Sequence, residues 1–464
     1  MNDFICPKCR GGLLLLSLLW LGSCKETTRH MAVEPPAGTI PTILNHASNL
    51  PFDSLQVKVF YDSFPLLAVY RPDVEEVYRR HNFTLIWHDG QGIVESGLTL
   101  FNKTKGMDVE GVAQKFPYQE KVNGIFENEL ENTLGPVESD LMITNLYLFY
   151  AETVIRGQPD TTTKALGWLL PRKQISYAGM LDSALKNPGV FSRDDNLLIG
   201  QYYRLRDVLK HYREIETKGL WPVNDTIRRI IVNMERCRWI PPEFARSEEY
   251  VVVNIPAFML TFVRNGKIAL RSPVVVGKTV TKTVIFSGMM SQVVFNPYWN
   301  VPQSIINKEI KPGMVKDPDY LAKHNMEWNN GQVRQKPGKN NSLGLVKFLF
   351  PNSNDIYIHD TPAKSLFGRE SRAFSHGCIR VGKPRELAIE ALKEDPEWTP
   401  EKIDRAMRSG QETPVTLKKK IPVHIGYFTA WIDDAGTLRF FDDIYGCDDR
   451  LANLLFAQTG SAAK

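Results

Sequence analysis

The chain contains few cysteines and no long hydrophobic run. Six cysteines among 464 residues exclude a small scaffold that depends on disulfides for its stability. The apolar stretch Leu13 to Leu21 is too short to span a bilayer as a helix. Neither sign of charge dominates, since 57 Lys and Arg stand against 52 Asp and Glu, and such a balance does not call for a nucleic acid partner. The sequence is therefore that of an ordinary globular protein, long enough for two or three domains.

The first 24 residues have the features of an export signal. Lys8 and Arg10 precede the apolar stretch, which ends in Gly22-Ser23-Cys24, and this order is typical of a secretory signal peptide. Small residues followed by cysteine also resemble the bacterial lipobox, in which Cys24 would be lipidated. An ordinary signal peptide and an uncleaved anchor are the alternatives. We predict a lipoprotein signal at 1–24, a linker at 25–50 and a membrane-anchored lipoprotein of the cell envelope, in the periplasm.

The cysteines divide into three groups. Cys6 and Cys9 have half of a zinc-site spacing, but no second pair follows and both lie in the predicted signal, so no metal site is predicted. Cys237 and Cys447 are predicted to be core or surface thiols, with a disulfide between them as the alternative. Cys378 is then the cysteine without a partner, and an unpaired thiol in an exported protein is a candidate for chemistry.

The hydrophobic pattern divides the chain into a helical part and a β part. Apolar residues recur at helical spacing between 51 and 240, and we predict a helical scaffold domain there. Near residue 249 the period changes to two, and Asn265-Gly266 has the composition of a tight hairpin turn. Residues 303–345 interrupt the strand pattern and are predicted to form a capping insertion or lid. The prediction is an α+β multidomain fold, with a mostly β catalytic domain at 249–428 and a strand-helix extension at 429–464.

The stretch FSHGCIRV, residues 374–381, contains the candidate nucleophile. A cysteine nucleophile needs thiolate character, which a neighbouring histidine or backbone N–H groups can supply. His359 ends the apolar strand pattern DIYIHD, while His376 stands two residues before Cys378. Gly377 suits a sharp turn whose N–H groups, with that of Cys378, could face a developing oxyanion. The residues alone leave two readings open, a Cys378–His359 dyad and a buried structural thiol beside a satisfied histidine.

These residues resemble the signature of the L,D-transpeptidase family. That signature is a histidine, a spacer of under twenty residues, and then Ser/Thr-His-Gly-Cys followed by a hydrophobic residue and Arg or Asn. Here it reads His359 and then Ser375-His376-Gly377-Cys378-Ile379-Arg380. Similarity to the large branch with a helical scaffold domain extends over about residues 60–455 and includes FNPYWNVPQSI, GKNNSLGLVKFLFPN and YFTAWIDDAGTLRFFDDIYG.

The resemblance implies a role for each matching residue. Cys378 would be the nucleophile and His359 the general acid and base, with the main-chain carbonyl of Asp360 orienting His359. The N–H groups of Gly377 and Cys378 would form the oxyanion hole. The residues expected to bind substrate or to line the cleft are Tyr298, Trp299, Asn341, Gly344, Lys347, Arg372, Ser375, His376 and Arg380. Structural ion pairs are the alternative for the two arginines, and core packing is the alternative for Tyr298 and Trp299.

The implied reaction is acyl transfer on peptidoglycan stem peptides, without a cofactor or metal. Terminal D-Ala would leave, and an amine of a second stem would complete a 3→3 cross-link. Three alternatives stay open: hydrolysis by an L,D-carboxypeptidase or endopeptidase, attachment of an envelope protein through a lysine, and a non-catalytic wall-binding lipoprotein. The implied roles belong to cell wall biogenesis and cell shape, with envelope proteins as possible partners of the helical domain. Two features depart from the family pattern, the lack of a separate peptidoglycan-binding module and Cys237 in place of an aromatic residue.

Overall fold

The computed structural model describes most of the chain after residue 49. The predicted signal, Cys24 and all of the linker except Leu50 lie outside the described residues. No helix within the described ranges is long and apolar enough to cross a membrane. The described ranges are 50–89, 91–127, 134–172, 174–186, 197–219 and 222–457.

The N-terminal half is helical, as the hydrophobic period predicts. A 3₁₀ helix, Pro65–Tyr70, follows the first α-helix, and a π-helical turn, Ala151–Arg156, extends the fifth. Three two-residue strands lie among the helices, namely β1 His88–Asp89, β2 Gly92–Ile93 and β3 Trp168–Leu169. The helices are α1 Leu55–Ser63, α2 Arg71–Arg80, α3 Glu95–Lys105, α4 Gln119–Glu127, α5 Pro136–Tyr150, α6 Asp160–Ala165, α7 Tyr177–Lys186, α8 Gly200–Thr217, α9 Asn224–Arg238 and α10 Pro242–Arg246.

Helix α5 begins earlier than its sequence suggests. Ser139 is a plausible cap by residue type, but the helix starts at Pro136 and Ser139 is buried inside it. Proline suits the first helical position because it has no N–H to leave unpaired. The Glu138 carboxylate accepts a hydrogen bond from the Gly135 N–H at 3.2 Å, which supports the start. The π-helical extension stops at Gly157, whose φ is +68°, a backbone conformation that favours glycine.

The core of the first helices contains one fully buried carboxylate. Asp140 on α5 accepts hydrogen bonds from the backbone N–H groups of Ile86 and Trp87 and from the Tyr78 hydroxyl. His88 Nδ1 lies 2.9 Å from the same carboxylate. The pair His88 and Asp140 therefore ties β1 to α5.

The C-terminal half is built on a ten-stranded sheet that closes on itself. The strand order is β11-β12-β14-β6-β5-β4-β15-β7-β3, with β13 beside β6, and β11 also pairs with β7. The predicted hairpin is confirmed, since β5 and β6 flank Asn265 and Gly266, both with positive φ. The strands are β4 Glu249–Asn254, β5 Met259–Arg264, β6 Lys267–Gly277, β7 Ile285–Phe295, β11 Val346–Leu349, β12 Ile358–His359, β13 Ala373–Ser375, β14 Ile379–Val381 and β15 Thr413–Gly426.

The predicted insertion forms a small unit with its own apolar core. Its three-stranded sheet has the order β8-β10-β9, from Trp299–Asn300, Gln332–Gln335 and Met326–Asn329. Short helical segments connect the strands: α11 Gln303–Ile305, a π-helical turn Ile306–Ile310, α12 Lys311–Lys316 and α13 Tyr320–Lys323. The buried core residues are Val301, Ile305, Ile306, Ile310, Met326 and Val333.

The remaining elements connect the sheet to the helices. Helices α14 Pro384–Leu392 and α15 Pro400–Arg408 begin with proline, which suits the first helical position. After β15, a hairpin of β16 Ala430–Ile432 and β17 Leu438–Phe440 leads to α16 Cys447–Ala457. A 3₁₀ helix, Lys364–Gly368, follows β12. A helical N-terminal region, a mostly β domain and an inserted subdomain together confirm the predicted fold class.

Candidate active site

Two short parallel strands bring the motif residues together. In the β12–β14 pair, Ile358 lies opposite Ile379 and His359 opposite Arg380, and the Ile379 N–H donates to the Tyr357 carbonyl at 3.1 Å. Side chains two residues apart share a face of a sheet. Cys378 is therefore a diagonal neighbour of His359 on the face that also carries Arg380, within reach of a long or aromatic side chain.

A second cation joins this row from the other side. Lys347 on β11 is the register partner of His359, so Lys347, His359 and Arg380 cross three adjacent strands side by side. Lys347 Nζ lies 3.4 Å from the Tyr298 carbonyl oxygen. In the described part of the chain, the buried Nε of Arg380 donates no hydrogen bond. The row therefore offers positive charge, and an unpaired donor, beside the histidine.

Backbone contacts fix the orientation of His359. Its Nδ1 lies 2.5 Å from the Asp360 carbonyl oxygen, so Nδ1 carries the proton and Nε2 is left as the basic nitrogen. The Asp360 carboxylate is used elsewhere: it accepts the Leu345 N–H at 2.8 Å and the Thr361 N–H at 2.7 Å, and it pairs with Lys364. Asp360 thus acts on His359 through its main chain, which is the arrangement that the family resemblance implies.

The loop before β11 approaches Asp360 closely. Gly344 has a φ of +63°, and a Cβ there would lie 2.3 Å from Asp360 Oδ2, so only glycine fits. Asn341 is 1% exposed, and its amide donates to the carbonyls of Pro297 and Lys336. Both residues shape the wall behind His359. Both are buried, and the substrate-binding role predicted for Asn341 and Gly344 stays a prediction.

Burial and neighbouring cations keep His359 neutral. The imidazole is 4% exposed. Burial, then the charges of Arg380 and Lys347, lower its pKa to about 3, although the hydrogen bond to the Asp360 carbonyl acts in the opposite direction. At neutral pH the ring is therefore an unprotonated base.

Cys378 is a neutral thiol in this setting. Burial raises its pKa, while hydrogen bonds from the Tyr357 backbone and hydroxyl and the charge of Arg380 act to lower it. The Sγ atom lies 3.7 Å from the Asp355 carbonyl oxygen. Because thiol and imidazole are both neutral at rest, the arrangement favours proton transfer during attack over a preformed ion pair.

Tyr357 is a site residue that the sequence analysis missed. Its hydroxyl hydrogen-bonds with Cys378 and with the Trp299 side chain, and burial raises its pKa well above the ordinary value. Its ring lies 5.6 Å from the His359 ring between centroids. The signal was present, because Tyr357 precedes His359 by two residues in a strand and so shares its face. Trp299, predicted to line the cleft, reaches the site through this contact.

The turn before Cys378 is held by its own side chains. The Ser375 hydroxyl donates to the Cys378 carbonyl at 2.5 Å and accepts the Gly377 N–H at 3.1 Å. Gly377 has a φ of +120°, a conformation that favours glycine. The Gly377 N–H is thus already satisfied, and this geometry does not support it as an oxyanion donor. Among the described residues no acceptor lies at the Cys378 N–H, which leaves that group available. Ser375 is buried in the turn, and its predicted role in substrate binding stays a prediction.

Three further predicted residues lie apart from the dyad. His376 Nε2 is 3.3 Å from Glu309 of the insertion, so it links the turn to the lid. The ring of Tyr298 is covered by the guanidinium of Arg334, whose Cζ lies 4.1 Å from the ring centroid. Arg372 donates to the Phe367 carbonyl at 3.1 Å, and the structure gives it no contact with Cys378 or His359. The site chemistry therefore rests on Cys378, His359, Tyr357, Arg380 and Lys347.

The remaining cysteines carry no disulfide in the described part of the chain. Cys237, Cys378 and Cys447 are all free thiols. Burial raises the pKa of Cys237 and that of Cys447, so both are less reactive than an exposed thiol. The core and surface thiols predicted for these positions are found, and the alternative disulfide is not.

Comparison with known families divides the chain as its fold does. Residues 248–407 match the family model of the L,D-transpeptidase catalytic domain, and residues 72–209 match that of a scaffold domain. A protein of Haemophilus influenzae, provisionally named an L,D-transpeptidase, is 27% identical over 408 residues, which cover 82% of this chain and 79% of that protein. The two domain matches and the relative point to the same family.

Solved structures resemble the C-terminal part more distantly. An L,D-transpeptidase from Mycobacterium smegmatis is 14% identical with a TM-score of 0.22, covering 39% of this chain and 58% of that one. L,D-transpeptidase 3 from Mycobacterium tuberculosis is 15% identical with a TM-score of 0.22, covering 39% and 61%. The chain thus spans less than two thirds of the length of these structures.

Proposed function

Because this chain carries the catalytic domain of the L,D-transpeptidase family together with a scaffold domain, we propose that it cross-links peptidoglycan stem peptides through a cysteine acyl-enzyme. The observation that supports this most directly is the β12–β14 register, which sets Cys378 diagonal to His359 on one face of the sheet. A thiol, a neutral imidazole and an unused N–H at the thiol's own residue are the groups that acyl transfer requires.

The first half of the reaction forms a thioester. Cys378 Sγ attacks the carbonyl of the third stem residue while His359 Nε2 takes the thiol proton. The oxyanion lies at the Cys378 N–H, with the Tyr357 hydroxyl as a second donor near the sulfur. Collapse breaks the C–N bond to D-Ala, and the protonated His359 returns the proton to the leaving amine.

The second half transfers the acyl group to an amine. A side-chain amine of a second stem attacks the thioester, His359 removes its proton, and Cys378 leaves as a thiol. The product is a 3→3 cross-link. Arg380 and Lys347 stand beside the reacting centre, and their charge suits a substrate carboxylate.

We also propose that the protein acts in the cell envelope, anchored by a lipid on Cys24. The support is the sequence pattern alone, a basic start and a short apolar run followed by small residues before Cys24. Labelling cells with a radioactive fatty acid would test it: the wild-type protein should incorporate label and Cys24→Ala should not. Equal labelling of the two proteins would overturn the anchor.

Mass spectrometry of reaction products tests the cross-linking activity. Residues 26–464 are mixed with purified disaccharide-tetrapeptides, in parallel with Cys378→Ala and His359→Gln. We expect a cross-linked dimer and free D-Ala from the wild type, none from Cys378→Ala, and a rate lower by about 10²–10⁴-fold from His359→Gln.

Other products would change the assignment. Tripeptide without dimer would identify a hydrolase that uses the same acyl-enzyme. An unchanged tetrapeptide, with Cys378 still reactive, would contradict transfer between stems and direct the search to a protein lysine as acceptor.

A further inference from the structure

One peptide unit carries the N–H that the proposed reaction uses to bind the oxyanion. The Gly377 carbonyl and the Cys378 N–H belong to the same planar group, so the direction of one fixes that of the other. The Gly377 carbonyl accepts a hydrogen bond from Thr283 Oγ1 at 2.8 Å. Whatever holds that carbonyl therefore also aims the Cys378 N–H.

The Thr283 hydroxyl has only one possible polarity here. The Gly277 N–H donates to Thr283 Oγ1 at 2.9 Å, so the hydroxyl accepts on that side and must use its single proton toward Gly377. Thr283 is 2% exposed, which leaves no room for water to take over either bond. The hydroxyl thus makes two hydrogen bonds, one to Gly277 at the end of β6 and one to Gly377 in the turn before Cys378.

Tyr445, from the C-terminal extension, holds the bridge in place. Its hydroxyl accepts the Thr283 N–H at 3.1 Å and donates to the Gly277 carbonyl at 2.7 Å. The Tyr445 N–H donates to the Tyr427 hydroxyl at 2.9 Å, and Tyr427 in turn donates to Asp443 at 2.5 Å. Tyr445 is 6% exposed. Its hydroxyl hydrogen-bonds with Gly277 at the end of β6 and with Thr283 in the loop that follows.

We propose that Thr283, held by Tyr445, is a positioning residue that fixes the Gly377–Cys378 peptide and so directs the Cys378 N–H at the oxyanion. Neither residue touches the substrate. The inference rests on the acyl-enzyme chemistry proposed above, but not on the identity of the acyl donor or acceptor.

Two reactions of Cys378 distinguish a misaligned Cys378 N–H from a general disturbance of the thiol. p-Nitrophenyl acetate acylates the thiol: sulfur attacks the carbonyl, an oxyanion forms, and p-nitrophenolate leaves. Iodoacetamide alkylates the same sulfur by displacing iodide from a saturated carbon, and no carbonyl oxyanion forms. Loss of an aligned N–H should slow only the acylation, whereas a disturbed thiol should slow both.

The experiment compares Thr283→Val with Thr283→Ser in the chain of residues 26–464. We expect Thr283→Val to lower kcat for acylation by about 10²–10³-fold, with KM little changed. Its alkylation rate should stay within about threefold of wild type, and Thr283→Ser should recover most of the acylation. Acylation by Thr283→Val within about threefold of wild type, or an equal loss in both reactions, would overturn the proposal.

Thr281→Val is the matched control. Thr281 Oγ1 donates to the Ser375 carbonyl at 3.0 Å, a group that the Lys278 N–H also bonds at 3.0 Å. The control removes a hydroxyl from the same loop and turn without freeing the Gly377 carbonyl, so both reactions should continue at near wild-type rates. A loss of acylation as large as that of Thr283→Val would contradict the specific role.

Tyr445→Phe covers the case in which Thr283→Val does not fold. It keeps the ring and removes only the hydroxyl, and the same selective loss of acylation is expected. Equal losses of acylation and alkylation in Tyr445→Phe would overturn the proposal. Because the ester is not a stem peptide, the two proposals can fail separately. If the wild type does not cross-link stems but Thr283→Val still loses acylation selectively, the proposed function is refuted and this inference stands.

Discussion

The proposed nucleophile, Cys378, and its proposed base, His359, are both uncharged at rest. Burial raises the pKa of the Cys378 thiol, and burial with two nearby cations lowers that of His359 to about 3. A cysteine–histidine ion pair would need the opposite shifts. The site therefore stores a protonated thiol that becomes a nucleophile when substrate and His359 are aligned with it.

The pH dependence of alkylation should reveal this state. Because the thiolate is the reactive form and the pKa of Cys378 is raised, its fraction at neutral pH is small and increases as pH rises. We expect the rate of alkylation by iodoacetamide to increase continuously through about pH 9, with no plateau between about pH 5 and pH 8.

Mass spectrometry of the peptide that contains Cys378 measures this rate at each pH. Cys447 is half-buried and provides an internal reference, while Cys378→Ala gives the background. A plateau at acidic pH, lost in His359→Gln, would show a thiolate–imidazolium pair and contradict the neutral resting state.

The sequence predicted the dyad but not everything around it. The strand spacing and family resemblance identify His359, Cys378 and the Asp360 carbonyl. Tyr357 was missed because a tyrosine in an apolar strand is typical of a core position, although its spacing of two from His359 places both on one face. Gly377 was assigned to the oxyanion hole and Ser375 to substrate binding, because a motif does not show which of its N–H and hydroxyl groups bond one another.

At the scale of elements, the loop before β11 fixes the position of His359 through Asp360. The Leu345 N–H and the close approach of Gly344 hold the Asp360 carboxylate, and Asp360 holds His359 through its carbonyl. Displacement of this loop would therefore reorient the His359 imidazole through Asp360, without direct contact between the loop and the ring.

Gly344→Ala tests whether this loop positions Asp360 and, through it, His359. The added Cβ would lie 2.3 Å from Asp360 Oδ2 at a φ of +63°, so we expect a loss of about 2–3 kcal/mol in the free energy of unfolding, from strain and a broken hydrogen bond. Acylation by p-nitrophenyl acetate should fall as well. Denaturant unfolding and stopped-flow absorbance measure the two effects.

Gly331→Ala is the control for backbone strain alone. Gly331 has a φ of +78°, and no atom lies within 4 Å of the place that an added methyl group would take, so this variant should lose about 1 kcal/mol and keep its activity. Similar unfolding free energies for the two variants, or normal acylation by Gly344→Ala, would show that the contact with Asp360 is unimportant.

Elements with a strong local signal were predicted well. The hairpin at Asn265 and the helices that begin at Pro384 and Pro400 follow from turn and capping chemistry. The start of α5 was placed too late, because serine is a common cap but Pro136 and Glu138 together act earlier. Strands as short as β12 and β14 have too few residues to show a period, and their pairing depends on distant contacts.

At the scale of the whole molecule, the helical region divides between two cores. The first contains residues of α1 to α5 and α7, while α8 and α9 pack with the sheet in the second. Strand β3, in the helical region, also pairs with β7. The predicted boundaries at 240, 249 and 428 stay predictions, and a hydrophobic period alone could not show which core each helix joins.

Arg238 links the two groups of helices through buried contacts. It donates from α9 to the carbonyls of Val154 and Glu110 and to the Glu235 carboxylate. Its side chain is 1% exposed, so removing it would leave the Glu235 charge without its buried cation. We expect Arg238→Ala to lose about 3–5 kcal/mol in the free energy of unfolding, measured by denaturant titration.

Arg228→Ala is the matched control on the same helix. Arg228 lies 3.6 Å from Asp449, whose side chain is 88% exposed, and an exposed pair contributes about 0–1 kcal/mol. Losses of equal size in the two variants would contradict the special role of the buried arginine.

The position of β15 has a consequence for the order of folding. Strand β15 pairs in parallel with β4 and antiparallel with β7, between them, although both are made far earlier in the chain. Contacts so distant in sequence slow folding, because a long loop must close before they form. The first helices can pack while the chain is still emerging, but the sheet that carries the nucleophile waits for its late central strand. The thiol therefore gains its neighbours only near the end of synthesis, when almost the whole chain is present.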